Sequence, residues 1–426
     1  MESQSKQIPT GILSRAYGFA GTAIAPLVAV GLACNARGRR RYGERFGGWG
    51  ALPSSTPWWM HGASVGEVHG LLPLVSEVRH RDPSAEILLT STSPTGLDRA
   101  GNAVSVKRLL PIDVPWCVRR ALRSVNTERF VLAETELWPV VLRELMVNGI
   151  PCHIVNGRIS DYTLRRYQML RGLFAPLLSR VSSVCVASQS QAERYVDLGV
   201  RRDAVHITGH TKYDIAPKVT SDGERIALRR AFFPSTSEET RIVVLGSLRP
   251  GEEVFWLEAF QAIRAVGRDV KVILAPRHME KVDYFVSKVR STNLSWARWS
   301  DLEGAHSPDI LVLDVMGKLE EAYATAHLAF IGGTLVDIGG HNPLEPAMYG
   351  VPVVVGPYTS VIQDVLSDMR ESQAVIEVGL GQNVLPILER LVAGDVALRE
   401  TGERGRQVWL QHRGAAQRVV SVIEHG

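Results

Sequence analysis

AHLAFIGGTLVDIGGHNPLEP, at residues 326–346, joins an apolar strand to a glycine-rich turn and then to the start of a helix. Glycines let the backbone approach a ligand closely, and Pro343 suits the first turn of a helix, where its missing N–H is no loss. The free N–H groups of such a turn attract phosphate, and Glu345 lies where a carboxylate can bind ribose hydroxyls. The stretch therefore predicts a nucleotide site; the alternative is a tight strand-to-helix turn that binds no ligand.

Short apolar runs alternate with helical stretches from Pro57 onward, which is typical of parallel sheets covered by helices. The strands predicted for a first unit are WWMHGAS, AEILLTS, RFVLAE, PCHIVNG, SVCVAS and AVHITG. Those predicted for a second unit are RIVVLGS, VKVILAP, ILVLD, LAFIGG and VPVVVGP. The pattern predicts an α/β protein of two Rossmann-like, doubly wound domains whose ligand loops face one cleft.

The predicted boundaries divide the chain into four parts. They are an N-terminal membrane helix with its basic flank (1–44), an N-terminal Rossmann-like domain (45–215), a proline-broken linker with one helix (216–240) and a C-terminal Rossmann-like domain (241–426).

The composition indicates a globular protein with a reduced interior. Of the 426 residues, 22% are charged and 45% are hydrophobic, and the net charge is only +4. No long basic run lies outside the N-terminal region, so we expect no nucleic-acid partner. The four cysteines form no CxxC pair and no zinc-like spacing, and we therefore expect neither a structural metal nor a disulfide.

The segment from Ala16 to Cys34 carries no charge and approaches the length that crosses a bilayer. Five arginines follow it: Arg37, Arg39, Arg40, Arg41 and Arg45. This order of apolar run and basic cluster argues against a cleaved signal peptide and predicts a cytoplasmic basic flank. Because Pro26 and several small residues interrupt the segment, a helix that spans the membrane and one embedded in its interface both stay open. In either form the body of the protein faces the cytoplasm.

HGASVGE, at residues 61–67, is a strand end followed by a loop of small residues that presents Glu67 as a helix begins. A carboxylate there is well placed to take a proton from a hydroxyl, and the helix N-terminus favours its ionised form. The alternative is that Glu67 only complements the helix dipole, with Ser64 as a plain N-cap.

ETELWP, at residues 134–139, also follows a predicted strand. Glu134 and Glu136 are separated by one residue, as in the acidic pair that binds a metal in one class of glycosyltransferase. We favour a different interpretation, in which a helix begins at once, Glu136 lies in its first turn and Glu134 is the functional carboxylate.

Further ligand-type residues follow other strands. Lys212, in GHTKYD, is suited to neutralise a leaving phosphate, although a solvated linker lysine explains it equally well. Arg277, in PRH, has a fork suited to a phosphate or a base edge. Loops of the same kind lie at residues 246–253 and 314–318. The histidines are too scattered to predict a metal site: His61, His69, His278 and His341.

The motifs HGASVGE, TSTSPTGLDRA, LPIDVP, ETELWP, NGRISDYTLRRY, GHTKYD, PRH and GGTLVDIGGHNPLEP, in this order, resemble those of 3-deoxy-D-manno-octulosonic acid (Kdo) transferases. The match runs from the RRRYGERFG flank to about residue 358. The resemblance implies a GT-B glycosyltransferase at the cytoplasmic side of the inner membrane. Such an enzyme moves Kdo from its substrate CMP-Kdo to a lipid A precursor in lipopolysaccharide synthesis, with inversion and with no metal or other cofactor.

The same resemblance assigns roles to individual residues. Glu67 matches the family's proton acceptor, and Glu134 and Lys212 match residues that stabilise the transition state. The N-terminal domain would hold the acceptor and the C-terminal domain the donor. The residues implied to bind the CMP moiety are Ser247, Pro276, Arg277, Met316, Gly317, Lys318, Gly340, His341, Asn342, Pro343, Leu344 and Glu345.

The chain departs from the family pattern at three places. Leu248 and Arg249 replace a Thr-His pair, Lys318 stands where an acidic residue is usual, and Val140 replaces an asparagine. The first two departures lie near the implied donor pocket and bear on donor affinity. Arg158, Arg165 and Arg166 either contact acceptor phosphates or are solvated surface residues.

Two other functions remain open on this evidence. One is a transferase of the same fold that uses a UDP-linked sugar, and the other is a catalytically silent, membrane-tethered nucleotide-binding protein. The presence of Glu67, Glu134 and Lys212 argues against the silent protein.

Overall fold

The structure is a computed structural model that describes residues 12–53, 55–104, 106–237, 239–302 and 307–425. Residues 1–11 of the predicted anchor segment therefore lie outside the described residues. The chain divides into two compact units. Unit 1 holds the described residues up to Asp214 and those from His412 onward, and unit 2 runs from Ile215 to Gln411.

Unit 1 is built on a sheet of seven parallel strands in the order β3-β2-β1-β4-β5-β6-β7. The strands are β1 (Trp58–His61), β2 (Ile87–Ser91), β3 (Val106–Leu109), β4 (Arg129–Ala133), β5 (Cys152–Gly157), β6 (Ser183–Val186) and β7 (Val205–Ile207). In register, Trp58 of the central β1 pairs with Ile87 on one side and with Arg129 on the other.

Unit 2 repeats this architecture with the order β10-β11-β9-β8-β12-β13-β14, again with every strand parallel to its neighbours. Its strands are β8 (Arg241–Leu248), β9 (Val270–Pro276), β10 (Trp296–Arg298), β11 (Ile310–Val312), β12 (Leu328–Ile331), β13 (Val353–Val355) and β14 (Val375–Glu377). Two doubly wound sheets confirm the predicted α/β class and its Rossmann-like form.

Helices cover both sheets. In the first half of the chain they are α1 (Ile12–Cys34), α2 (Ala36–Arg39), α3 (Val65–Arg81), α4 (Pro94–Arg99), α5 (Pro115–Leu122), α6 (Pro139–Val147), α7 (Asp161–Met169), α8 (Arg171–Leu178) and α9 (Gln189–Asp197). In the second half they are α10 (Asp222–Phe232), α11 (Glu253–Ala265), α12 (Val282–Arg290), α13 (Leu319–Thr325), α14 (Leu344–Ala347), α15 (Gln363–Glu371), α16 (Leu385–Val392), α17 (Val396–His412) and α18 (Ala415–His425). Short 3-10 turns lie at Tyr42–Phe46, Arg202–Ala204, Thr211–Tyr213 and Met279–Lys281.

The strands missing from the predicted set all lie at sheet edges. β3, β10 and β14 are three of the four edge strands; the fourth, β7, and all the interior strands were predicted. A central parallel strand is buried on both faces and is therefore continuously apolar, as the fully buried β1 and β2 show. β14 has only partly buried or exposed residues, and its short, mixed sequence carries no such signal.

The end of the chain lies in unit 1, which differs from the predicted C-terminal domain of residues 241–426. α18 packs against α3, and its Val419 and Val420 are fully buried in the core on that face of the first sheet. Arg81, at the end of α3, binds Glu424 at 2.6 Å. The apolar face of α18 thus completes the cover of sheet 1, so residues 412–425 depart from the predicted domain.

The predicted linker, residues 216–240, contains the expected helix, α10, but it is part of unit 2. Ser221 caps α10 in a capping box with Glu224, which explains where the helix begins. α10 packs against α13, and Arg225 donates to the carbonyl of Ala324 at 3.0 Å. The segment is therefore docked on α13 of unit 2.

α1 is long and apolar enough to cross a membrane, with a mean hydropathy of 1.7 between Leu13 and Cys34. One stripe of the helix packs on unit 1, where Ala25 is buried against Val114. The other side is open, with Phe19 80% and Leu27 74% exposed. An exposed apolar helix of this kind suits a lipid environment.

Candidate active site

Glu67 is the third residue of α3 and lies directly after the carboxyl end of β1. Ser64 is the N-cap, and its hydroxyl accepts a hydrogen bond from the Glu67 N–H at 3.2 Å. The Glu67 Oε2 atom accepts a bond from the Ala63 N–H at 2.8 Å, which fixes the carboxylate at the helix N-terminus. The side chain is 8% exposed. Oε1 has no hydrogen-bond partner in the part of the chain that the structure describes.

Glu134 follows β4 with a left-handed backbone, at φ 55°. Residues other than glycine seldom adopt this conformation, and such strain is concentrated at functional sites. Two contacts hold the turn in place: the Glu134 N–H donates to Val155 at 2.8 Å, and its carbonyl accepts from the Tyr195 hydroxyl at 3.2 Å.

Lys212 lies on a 3-10 turn that side-chain contacts tie to α3. The hydroxyl of Thr211, the preceding residue, donates to the carbonyl of Gly70 on α3. Asn156, at the end of β5, accepts from the Thr211 N–H at 2.9 Å. The helix that carries Glu67 and the turn that carries Lys212 are therefore held together by Thr211.

One cavity of about 520 Å³ in unit 1 brings several of these side chains together. The residues around it include Tyr17, Glu67, Glu134, Glu136, Arg158 and Tyr167. Lys212 does not line this cavity. Burial is the main cause that lowers the pKa of His69 on α3, and the charges of Arg99 and Lys212 lower it further. Two of the three predicted catalytic residues thus share a cavity, and the third lies on the turn bound to α3.

Several residues of this cavity were not predicted to belong to it, and Glu136 and Tyr17 are two of them. Glu136 was expected in the first turn of a helix, but α6 begins only at Pro139 and Glu136 precedes it. Partial burial raises the pKa of Glu136, and the charge of the nearby Glu67 raises it further. Tyr17 comes from α1, whose hydrophobic sequence indicated only a membrane anchor. Among the described residues, no group of three or more His, Cys, Asp or Glu side chains is placed to hold a metal ion.

A second cavity, of about 130 Å³, lies at the carboxyl ends of strands in unit 2. Five of the residues implied to bind CMP line it: Ser247, Pro276, Arg277, Met316 and Gly317. Ser247 has a left-handed backbone, at φ 53°. Its carbonyl lies so close to Gly332 that a Cβ atom there would come within 2.2 Å of the oxygen, which explains the glycine.

Lys318 is placed differently from these five residues. Its ammonium group binds Glu321 at 2.7 Å on α13, and the residue does not line the cavity. The lysine that departs from the family pattern is therefore paired within its own helix.

The Glu252 side chain binds the backbone of the glycine-rich turn that begins at Gly332. Its fully buried carboxylate accepts N–H bonds from Gly333, Thr334 and Leu335 at 2.9–3.0 Å. A fourth N–H, from Arg249, donates to it at 2.9 Å. Burial raises the pKa of Glu252, and the four N–H donors oppose that rise. The N–H groups of Gly333, Thr334 and Leu335 are therefore bound by an internal carboxylate, and phosphate binding by the N–H groups at the helix start after Pro343 stays a prediction.

His341, in the same turn, is close enough to Arg277 for the two to interact electrostatically. Burial, followed by the charges of Arg277, Arg249 and His278, lowers the pKa of His341 to about 4, so this histidine is neutral and lies beside cations. Its Nε2 atom is buried and has no hydrogen-bond partner among the described residues.

Glu345 is also close to Arg277. Burial and then the charge of Glu320 raise the pKa of Glu345 to about 7, and Arg277 and Lys218 oppose the rise. Gly340 donates to the carbonyl of Gly333 at 2.8 Å and so closes the loop.

Three neighbouring residues of the predicted set have structural contacts. Asn342 accepts from the Leu344 N–H at 3.1 Å, Pro343 precedes α14, and the Leu344 side chain is fully buried in the protein.

Arg249, one of the departures noted above, contributes to this cationic region. Its guanidinium lies 2.6 Å from His278 Nε2, and its charge acts on His341. Leu248, in contrast, is 1% exposed and belongs to the core. Of Leu248 and Arg249, only Arg249 adds a charge near the second cavity.

Comparison with known proteins identifies the family of the chain. Residues 40–215 match the family described as 3-Deoxy-D-manno-octulosonic-acid transferase (kdotransferase). The chain is 30% identical over 399 residues to the 3-deoxy-D-manno-octulosonic acid transferase of Haemophilus influenzae, covering 91% of this chain and 92% of that protein. The chain belongs to the Kdo transferase family. A family member from Bordetella pertussis is 29% identical over 397 residues, which is 89% of this chain and 90% of the relative. By family, the chain is a glycosyltransferase, as its motifs predicted.

Solved structures resemble this Kdo transferase family member in fold. The UDP-GlcNAc 2-epimerase of Neisseria meningitidis, bound to UDP-GlcNAc, has a TM-score of 0.55 at 11% identity, over 86% of this chain and 99% of that chain. A putative UDP-N-acetylglucosamine 2-epimerase from Listeria monocytogenes has a TM-score of 0.52 at 13% identity, over 87% and 96% of the two chains. These likenesses show a GT-B-like fold and carry no conclusion about the substrate.

Proposed function

We propose that this protein transfers Kdo from CMP-Kdo to a hydroxyl of a lipid A precursor, lipid IVA, in lipopolysaccharide synthesis. The reaction inverts the anomeric carbon and needs no metal ion. The observation that carries the proposal is the unit 1 cavity in which Glu67 and Glu134 meet, in a member of the Kdo transferase family.

The chemistry is a single displacement. The acceptor oxygen forms a bond to the anomeric carbon of Kdo, and the bond from that carbon to the CMP phosphate oxygen breaks. The acceptor proton passes to Glu67, whose carboxylate is held by the Ala63 N–H and has Oε1 unbonded in the described structure. Attack from the side opposite to CMP inverts the anomeric carbon.

Cationic side chains support the departure of CMP. Arg277 lies at the end of β9 in the small cavity of unit 2, and Arg249 and His278 lie nearby. Preorganised positive charge of this kind stabilises a leaving phosphate without the reorganisation that water would require. Within unit 1, Glu134 and the turn that carries Lys212 are the proposed stabilisers of the transition state.

α1 anchors the protein to the cytoplasmic side of the inner membrane under this proposal. The exposed Phe19 and Leu27 suit contact with lipid, and Tyr17 on the same helix lines the Glu67 cavity. A lipid acceptor that enters from the membrane would therefore reach Glu67 alongside α1. Arg158, which also lines this cavity, is suited to an acceptor phosphate.

The test is mass spectrometry of a tetra-acylated lipid A precursor after incubation with detergent-purified protein and CMP-Kdo generated in situ. EDTA is present throughout, and a parallel sample contains added Mg²⁺. The expected product is heavier by one or more Kdo units in both samples. A product seen only with Mg²⁺ would refute metal independence and retain the transferase.

A negative result has a defined meaning when the wild-type protein is shown to be folded and to bind CMP. No mass shift with CMP-Kdo would then contradict the proposed donor and acceptor pair. A shift with a UDP-linked sugar in place of CMP-Kdo would assign the fold to the alternative donor class.

A further inference from the structure

A third cavity, of about 380 Å³, lies in unit 2 away from the proposed donor residues. It opens between α10, the loop before β13, and the start of α17. The residues that matter here are Arg225, Arg241, His327, Pro352, Asp395 and Arg399.

This cavity is at the amino ends of the parallel strands. Arg241 is the first residue of β8, His327 directly precedes β12, and Pro352 directly precedes β13. The small cavity with Ser247 and Arg277 lies at the carboxyl ends of the same sheet. β8 has eight residues, and at roughly 3.3 Å per residue the two edges are about 25 Å apart. A ligand here would therefore not reach the proposed donor pocket.

The wall of the cavity is strongly cationic. Three arginines line it, and among the described lining residues the one carboxylate is Asp395. Asp395 is already bound to Arg390 at 2.6 Å. Arg399 is exposed and makes no ion pair or side-chain hydrogen bond in the described part of the chain. Arg225 also lies 3.8 Å from the exposed Asp222, so the cavity gathers three guanidinium groups of which Arg399 is the one open to a ligand in the described residues.

His327 adds a donor of a different kind. Its Nδ1 atom accepts a hydrogen bond from the Ile242 N–H at 3.0 Å, so the proton of the neutral ring is on Nε2. Burial is the main cause that lowers the pKa of His327 to about 4, and the guanidinium groups of Arg229, Arg241 and Arg225 add to the effect. A neutral N–H donor beside several guanidinium groups is suited to an anion rather than to a cation.

We propose that this cavity is a binding site for a small soluble anion that carries phosphate, of about the size of a diphosphate. Guanidinium forks bind phosphate oxygens in pairs, which favours phosphate over a monovalent anion. The lining residues come from α10, β8, the segments that precede β12 and β13, α16 and α17, so an occupied site would connect these elements of unit 2.

Isothermal titration calorimetry of the full-length protein with inorganic pyrophosphate, in the presence of EDTA, tests the proposal. The wild-type protein should bind pyrophosphate saturably. Arg399→Gln should weaken this binding about tenfold, because a hydrogen bond between charged groups is lost. Arg399 has no partner within the described protein, so the substitution should leave the fold unchanged, as circular dichroism would verify.

Two further variants identify the site. Arg268→Gln removes an equally exposed arginine of unit 2 that does not line the cavity, and it should bind pyrophosphate like the wild type. Arg277→Gln, in the proposed donor pocket, should also retain the binding. Hydrogen exchange should slow at the start of β13 and of α17 when pyrophosphate is added.

The proposal is overturned by any of three results. They are an absence of saturable binding to the folded wild-type protein, equal weakening by Arg268→Gln and Arg399→Gln, and loss of binding in Arg277→Gln with retention in Arg399→Gln. The second result would show that only net charge matters, and the third would place the anion in the donor pocket.

Discussion

Glu67 is the residue on which the proposed chemistry depends. Its carboxylate lies at the start of α3, where the Ala63 N–H fixes Oε2 and leaves the group in place to accept a proton. Glu67→Gln keeps an oxygen that can accept from the Ala63 N–H, so the fold should be retained. We expect kcat for Kdo transfer to fall by about 10²- to 10⁴-fold, with CMP affinity unchanged, measured by product mass and by calorimetry.

Glu77→Gln is the matched control for that variant. Glu77 is on the same helix, pairs with Arg81 at 2.8 Å and does not line the cavity. It should therefore keep wild-type activity. If Glu67→Gln retained full kcat, another group would be the base and the mechanism proposed for this cavity would be wrong.

Glu345 predicts a pH effect on stability. Its pKa is raised from 4.5 to about 7 in the folded protein, so the folded state binds more protons than the unfolded state between these values. Stability should therefore fall as pH rises from about 4.5 to about 7. Glu345→Gln has no carboxyl group to titrate and so avoids this loss. The free energy of unfolding of the variant, minus that of the wild type, should therefore increase by about 1–3 kcal/mol between pH 5 and pH 8.

Urea unfolding of the wild type and the variant at both pH values measures the difference. Glu389→Gln, an exposed carboxylate on α16, should show no such change. A pH-independent difference between Glu345→Gln and the wild type would show that Glu345 is not the titrating group.

At the scale of elements, Glu252 connects the loop after β8 to the glycine-rich turn after β12. Four backbone N–H groups donate to its buried carboxylate. In Glu252→Gln, the amide NH₂ group would face N–H donors and leave some of them unpaired. We expect unit 2 to lose about 2–4 kcal/mol of stability, with weaker CMP binding, measured by urea unfolding and calorimetry.

The exposed Glu258 on α11 supplies the comparison for Glu252. Glu258→Gln should change neither stability nor CMP affinity, since the side chain has no described partner. Wild-type stability of Glu252→Gln would show that the glycine-rich turn holds its shape without the carboxylate.

α1 is expected to act as a wall of the acceptor cavity as well as an anchor. The Tyr17 hydroxyl hydrogen-bonds Asp113, whose carboxylate also accepts from Val140 and Val141 at the start of α6. In Tyr17→Phe we expect KM for the lipid acceptor to rise about three- to tenfold while KM for CMP-Kdo stays constant, because one hydrogen bond at the cavity is lost. Steady-state kinetics in mixed micelles measures both constants.

Tyr42→Phe separates the two roles of the helix. Tyr42 donates to the Ala29 carbonyl of α1 at 2.9 Å but does not line the cavity. Its acceptor KM should stay at the wild-type value. Equal increases in both variants would mean that Tyr17 acts only by docking α1.

At the scale of the whole molecule, the last helix belongs to the unit in which the chain begins. Removing residues 412–425 takes Val419, Val420 and Ile423 out of the core on the α3 side of sheet 1. We expect unit 1 to lose stability by several kcal/mol, because each large buried side chain contributes roughly 2 kcal/mol or more. Hydrogen exchange should then quicken in β1 and β2, while β8 and β12 of unit 2 keep their protection.

If the protein without residues 412–425 does not fold, a single substitution gives the same test. Ile423→Ala removes one buried side chain and should destabilise unit 1 by about 2–5 kcal/mol. Faster exchange in β8 rather than in β1 would assign α18 to unit 2, as the sequence suggested.

Local patterns were sufficient for the central strands, the helix start at Ser64 and the strand-end positions of Glu67, Glu134 and Arg277. Each of these depends on neighbours in the chain, such as an apolar run buried on both faces or a serine that caps the next turn. Family motifs supplied the assignment of roles. The edge strand β14 was missed because it is short and none of its residues is fully buried, so its sequence has no continuous apolar run.

Other features depend on contacts between residues far apart in the chain. Glu252 binds N–H groups some eighty residues later, Tyr17 reaches the cavity of Glu67, and α18 returns to α3. A run of glycines reads the same whether its N–H groups bind a phosphate or a distant carboxylate. The difference depends on which partner the folded backbone brings within hydrogen-bonding distance. Buried N–H groups must be paired, and here the buried Glu252 carboxylate pairs with them.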